Sequence, residues 1–236
     1  MNPVYPLLVL SSMTLMAGEV TISGLVHLDG PRPKREPITL TPESRKQYKA
    51  PPLSEVKLVG PKGGVSNVFV YIKDGLPQGK SYEAPSDAVL LNQVKSMFRP
   101  RVQGVLVGQD FIMRNSDPVI HNVRSLSDEN RPFNIGQPAN TPDRKKVFRD
   151  PEHPIEMRCD FHPWMRAFVF AMDHPFFAVT NEHGRFEIKD VPAGKYTLAI
   201  WHEAYGRKKQ DITIKSQVKP NITFALKPQD AKNQNP

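Results

Sequence analysis

The sequence has one cysteine, Cys159, in 236 residues. A lone cysteine excludes an intramolecular disulfide and any four-cysteine zinc or iron–sulfur site, so chemistry at Cys159 must recruit other residue types. No apolar run is long enough to span a bilayer comfortably, so no transmembrane segment is expected in the mature chain. No G-x-S-x-G elbow, H-E-x-x-H pair or Gly-rich phosphate loop occurs, which removes support for common hydrolase, metalloprotease and nucleotide-binding chemistry. Helical periodicity is missing throughout. Lys and Arg are scattered without interleaved aromatics, so nucleic acid is not an expected partner.

What is present is strand-forming and rich in chain breakers. Twenty-four prolines and fourteen glycines punctuate the chain, as expected for many short strands rather than long helices. Residues 6–16 form an apolar run of signal-peptide length followed by Ala17-Gly18. They predict a cleaved signal over 1–17 and a periplasmic or secreted protein, although no Lys or Arg precedes the run. The 32 basic against 24 acidic residues give a net charge of +8, which favours acidic partners or anionic surfaces. Period-2 alternation opens at Val20–Leu28, and strand patterns recur at 67–72, 104–107, 111–114, 166–172, 186–188, 196–201, 212–214 and 222–226. Residues 30–55 read as a surface connection. Residues 124–154, broken by five prolines, read as an excursion outside the core. The expected class is all-β, closed as sandwiches or barrels.

The segment Met157-Arg-Cys-Asp-Phe-His-Pro-Trp-Met165 sets Cys159, His162 and Met165 at C-x2-H-x2-M. Thiolate, imidazole and thioether form the soft ligand set that copper prefers, and blue copper sites add a second imidazole. His121, in Asn115-Ser-Asp-Pro-Val-Ile-His121-Asn122-Val123, is the outstanding candidate. The alternatives are bland: Cys159 as a small buried hydrophobe, Met165 as core filler, His162 as a turn cap.

These two segments resemble those of the cupredoxin family, in which an Asn–turn–His-Asn-Val element meets a Cys…His…Met loop. The resemblance implies a Greek-key sandwich binding one copper per chain. Its ligands would be His121, Cys159, His162 and, least firmly, Met165. Asn115 and Asn122 would hold the two ligand loops together. Phe161, Pro163 and Trp164 would frame an electron-exit patch around His162. A single cysteine leaves only a mononuclear site. A second segment, Val179-Thr-Asn-Glu-His-Gly184-Arg-Phe186-Glu-Ile188-Lys-Asp-Val191-Pro-Ala-Gly194-Lys-Tyr196, resembles carboxypeptidase-regulatory-like, transthyretin-type sandwiches. The implied division is a copper domain at 84–173, a small sandwich at 174–228 that pairs with strands of 18–83 or stands alone, and a disordered tail at 229–236. Ser96 and Pro100-Arg101-Val102 stand where related exported proteins often carry a Cys and a Pro-His-Val.

Three functions fit these residues. One is one-electron transfer with a redox partner such as a c-type cytochrome bearing an acidic face. A second is copper storage or delivery. The third is a metal-free sandwich that binds carbohydrate or protein. The tail lacks the Tyr-Arg-Gly-Ser ending of transthyretin-like hydrolases, so no enzyme activity is expected of the chain on its own.

Overall fold

The computed structural model describes residues 19–216 and 218–232, so the expected signal peptide lies outside the described residues. The chain forms β1 (Val20–Leu28), a one-turn helix α1 (Pro42–Arg45), β2 (Phe69–Asp74), β3 (Val89–Val94), β4 (Met97–Arg99), β5 (Val102–Leu106) and β6 (Asp110–Asn115). It continues with β7 (His121–Leu126), β8 (Asn134–Gln137), β9 (Arg144–Val147), β10 (Glu152–Arg158), β11 (Arg166–Met172) and β12 (Phe177–Val179). The last strands are β13 (Arg185–Val191), β14 (Gly194–His202), β15 (Gly206–Ile214) and β16 (Asn221–Leu226). The all-β class expected from the sequence is the observed one. No helix among the described residues is long and apolar enough to cross a membrane.

The strands form four sheets, ordered β13-β1-β16, β12-β2-β14-β15, β4-β3-β6-β9 and β5-β11-β10-β7-β8. Alternating side chains explain how the sheets stack. Ile22 and Val26 of β1, Val70 and Ile72 of β2, and Leu198 and Ile200 of β14 share one core, closing the first pair of sheets. Leu91, Phe111, Met113, Val123, Ile155, Met157 and Val169 share another, closing the second pair. Strands from both ends of the chain therefore build one sandwich, with β1 parallel to β16 and antiparallel to β13.

A third apolar layer joins the sandwiches. Phe69, Tyr71, Ala199 and Trp201 on the outer faces of β2 and β14 meet Val102, Leu106, Phe168, Phe170 and Met172 on β5 and β11. The Phe69 and Phe170 rings stack with centroids 3.8 Å apart. This explains why β2 and β11 are apolar at successive positions instead of alternating: each is buried on both faces.

Two connections differ from expectation. The 124–154 excursion contributes β8, β9 and the first three residues of β10, and Phe148 is a core residue. Its prolines fall where a strand tolerates them: Pro138 just after β8, Pro142 before β9, Pro151 before β10, and Pro154 at a register shift in the β10–β11 pairing. The 30–55 connection is not only surface chain. Thr41 caps α1 by accepting from the Ser44 N–H at 3.4 Å, and Ser44 is completely buried. At the C-terminus, Pro228–Lys232 form a 3₁₀ turn, which takes in residues 229–232 of the expected disordered tail.

Candidate metal centre

The expected ligands arrive from two neighbouring strands of one sheet. His121 is the first residue of β7, and Cys159 follows the last residue of β10. The pairing of β7 with β10 sets these strand ends side by side. The 159–165 loop is folded tightly: the Cys159 N–H donates to the Met165 carbonyl at 3.2 Å, and the Met165 N–H donates to the His162 carbonyl at 2.8 Å. His162 is thereby carried back over Cys159.

One donor atom from each of His121, Cys159 and His162 lies within 4.8 Å of the others, and all three residues are buried. The two imidazole Nδ1 atoms face each other at 3.0 Å, and the Cys159 Sγ is 3.6 Å from the His162 Nδ1. Bonds to a small divalent ion are about 2.0–2.1 Å from imidazole nitrogen and about 2.3 Å from thiolate, as measured for zinc. Donors sharing such an ion stand roughly 3–4 Å apart, and both of these separations fall in that range. Met165 is fully buried in the same apolar cluster as Cys159.

Burial and neighbouring groups pull the three side chains in opposing directions. Burial pushes the His121 imidazole down, but the Asp117 hydrogen bond and the Cys159 sulfur outweigh it, and the net shift is upward. Burial pushes the Cys159 thiol up, yet His121 and the N–H groups of Asn122, Phe161 and His162 bring it below its ordinary value. Burial and the neighbouring His121 both push His162 down. The two Nδ1 atoms stand at hydrogen-bond distance from each other, and a metal held between them requires both to be free of a proton.

The two expected supporting asparagines both bridge segments. Asn115 Nδ2 donates to the carbonyls of Val119 and Gln137 at 2.9 and 2.8 Å, and its Oδ1 accepts from the Asp117 N–H at 2.9 Å. Asn122 Nδ2 donates to Asn134 and Asp160, and its Oδ1 accepts from the Asp160 N–H at 2.7 Å. That ties the His121 strand to the Cys159 loop. Phe161 is 51% exposed and Pro163 is exposed. Trp164 is half-buried, its ring lies 5.1 Å from that of His162, and its indole N–H donates to the Ser96 carbonyl at 2.9 Å.

Three neighbours escaped the sequence reading. Asp117 accepts from the His121 Nε2 at 2.8 Å, and the one available signal was an acidic residue four places before the histidine. Ser96 links the 42–48 segment to the centre, donating to the Ser44 Oγ at 2.8 Å and accepting from Gln47 at 3.1 Å. Ile120 is 46% exposed beside His121, and nothing in its local sequence marks it.

Comparison with known proteins gives two kinds of likeness. Residues 162–235 match the family model described as CarboxypepD_reg-like domain, a range that takes in β11–β16 but neither β1 nor β2. Among solved structures, the chain is similar to cupredoxins. A purple cupredoxin from Nitrosopumilus maritimus is 20% identical over 36% of this chain and 99% of its own, with a TM-score of 0.31. An oxidised amicyanin variant is 15% identical over 50% of this chain and 94% of its own, with a TM-score of 0.33. A copper-containing nitrite reductase from Thermus scotoductus SA-01 is 18% identical over 43% of this chain, which spans only 26% of the reductase, with a TM-score of 0.35. No curated protein matches the chain.

Proposed function

We propose that this protein is an exported mononuclear copper protein of cupredoxin type that transfers single electrons and is not an enzyme on its own. The carrying observation is the buried meeting of two imidazole Nδ1 atoms and one thiol within 4.8 Å, the donor set of a trigonal His2Cys copper site. His121, Cys159 and His162 would hold the ion, with Met165 the candidate for a fourth, weaker ligand. Bound copper supplies a one-electron couple, cupric to cuprous, in which no covalent bond of the protein forms or breaks. The chain's part is to keep the donors fixed. Cys159 is pinned by its backbone bond to Met165, Asn122 ties the His121 strand to the Cys159 loop, and Asn115 braces the turn before His121, so little reorganisation accompanies the electron. Phe161 and Pro163, with Ile120, form the apolar rim over His162 through which a partner would approach. An acidic-faced redox protein such as a c-type cytochrome suits the +8 charge.

The test is a reversible redox titration of the copper-loaded protein, repeated after incubation with a Cu(I) chelator. A stable one-electron couple that survives the chelator supports electron transfer. Rapid surrender of Cu(I) without a stable couple turns the reading to copper delivery.

A further inference from the structure

Behind His121 lies a carboxylate whose placement is expensive. Asp117 is 4% exposed, and burying an ionised carboxylate is costly unless it is fully hydrogen-bonded. It is so bonded: Oδ2 accepts from the His121 Nε2 at 2.8 Å and from the Ser96 N–H at 2.6 Å, and Oδ1 accepts from the Lys95 N–H at 2.5 Å. The two N–H groups come from the tight β3–β4 turn, where Lys95 and Ser96 both adopt left-handed backbone, φ 54° and 50°. Neither is glycine, so each carries a conformational cost that the surrounding contacts must offset. The same turn is braced from three sides. Tyr48 donates to the Lys95 carbonyl, Ser44 and Gln47 bond the Ser96 hydroxyl, and the Trp164 indole donates to the Ser96 carbonyl. A strained, braced turn whose two N–H groups converge on one buried carboxylate, itself seated on a ligand histidine, is more than a packing solution for a loop.

We infer that Asp117 is a positioning residue that fixes His121 with Nδ1 toward the metal and, by its negative charge on the far nitrogen, favours Cu(II) over Cu(I) and so lowers the reduction potential of the centre. The inference rests on the copper reading above. The chemistry is that of a carboxylate–histidine–metal relay: accepting the Nε2 proton fixes the tautomer and makes the imidazole a stronger donor. The stronger donor and the buried negative charge both favour the more highly charged ion. The 42–48 segment and the 95–96 turn belong to the same device, because they hold the carboxylate in place.

The experiment is the reduction potential and the Cu(II) and Cu(I) affinities of Asp117→Asn beside wild type, both loaded with copper. Cu(II) affinity should fall roughly 10- to 100-fold, with Cu(I) affinity falling less. A tenfold difference between the two losses raises the potential by about 59 mV for a one-electron couple. Equal losses for both ions, or an unchanged potential with an intact copper spectrum, would overturn the inference. If the variant does not fold, the wild-type Cu(I) protein decides the matter by imidazole nitrogen NMR. A His121 Nε2–H that is protected from exchange, with Nδ1 on the metal, is expected, and an Nδ1–H tautomer or a freely exchanging Nε2–H contradicts it. Failure of wild type to bind copper through Cys159 would instead overturn the copper reading itself, a different outcome from bound copper with an indifferent Asp117.

Discussion

The two sandwiches are tied by an ion pair that should be among the most damaging to break. Arg101, just before β5, donates from Nε and Nη2 to the two Glu203 carboxylate oxygens at 2.5 and 2.7 Å, and their side chains are 7% and 5% exposed. Arg101 comes from the sandwich that carries His121 and Cys159, and Glu203 follows β14 of the other. Glu203→Gln keeps the shape and removes the charge, leaving a guanidinium buried against a neutral amide. Breaking one side of a buried pair costs about 3–5 kcal/mol, a large share of a total stability on the order of 5–15 kcal/mol. Replacing both partners, as Arg101→Met with Glu203→Met, removes the stranded charge and should recover all but about 1 kcal/mol, because a buried ion pair contributes little net stability over a well-packed apolar substitute. Urea unfolding of wild type, Arg101→Met, Glu203→Met and the double variant closes the cycle. Single variants that lose less than about 1 kcal/mol would mean the pair is hydrated, and a double variant that loses the sum of the singles would refute the coupling.

Three further outcomes follow from individual contacts. His202 is almost completely buried, and burial, then the Arg101 charge, lowers its pKa from 6.5 to about 3. Its imidazole stays neutral in the fold, while the unfolded chain takes up the proton as pH falls through 6.5. The resulting stability is full above that pH and is lost progressively between about 6.5 and 3, so His202→Gln should flatten that part of a pH series of urea midpoints, and parallel wild-type and variant profiles would count against it. A Cβ on Gly64 would lie 2.1 Å from the His183 carbonyl oxygen and 2.8 Å from the Gly184 nitrogen. Because both obstacles are backbone, Gly64→Ala should cost about 3 kcal/mol or more, and an unchanged unfolding midpoint would refute the close approach. Asn122→Ala removes the bridge between the His121 strand and Asp160, so copper should dissociate faster while the unfolding midpoint moves by only about 1–2 kcal/mol; an unchanged off-rate would show that the bridge does not hold the site.

How much of this was legible in the sequence depended on range. The Cys159–Met165 loop could be read because its chemistry lies within seven residues, and His121 because cupredoxin segments pair a His-Asn-Val with such a loop. Asp117 and the Lys95–Ser96 turn could not, since their contact joins segments 21 and 22 residues apart and depends on φ values that ordinary Lys and Ser seldom adopt. The buried Ser44 was hidden for the same reason: it meets Ser96 across 52 residues. Residues 124–154 misled because prolines were weighed as breakers, when in the fold they mark strand boundaries and one bulge. The apolar run of 166–172 announced a strand, but only the stacked sheets show that its two faces serve different cores.

The most direct measurement is the optical and EPR spectrum of the protein from residue 18, loaded with Cu(II) and freed of excess metal, beside Cys159→Ser. The His2Cys reading predicts one copper per wild-type chain with an intense thiolate-to-copper band in the visible. It also predicts a folded Cys159→Ser protein in which that band is gone. A wild-type protein with only weak, adventitious copper, or a Cys159→Ser variant with the same copper content and spectrum, would contradict the assignment.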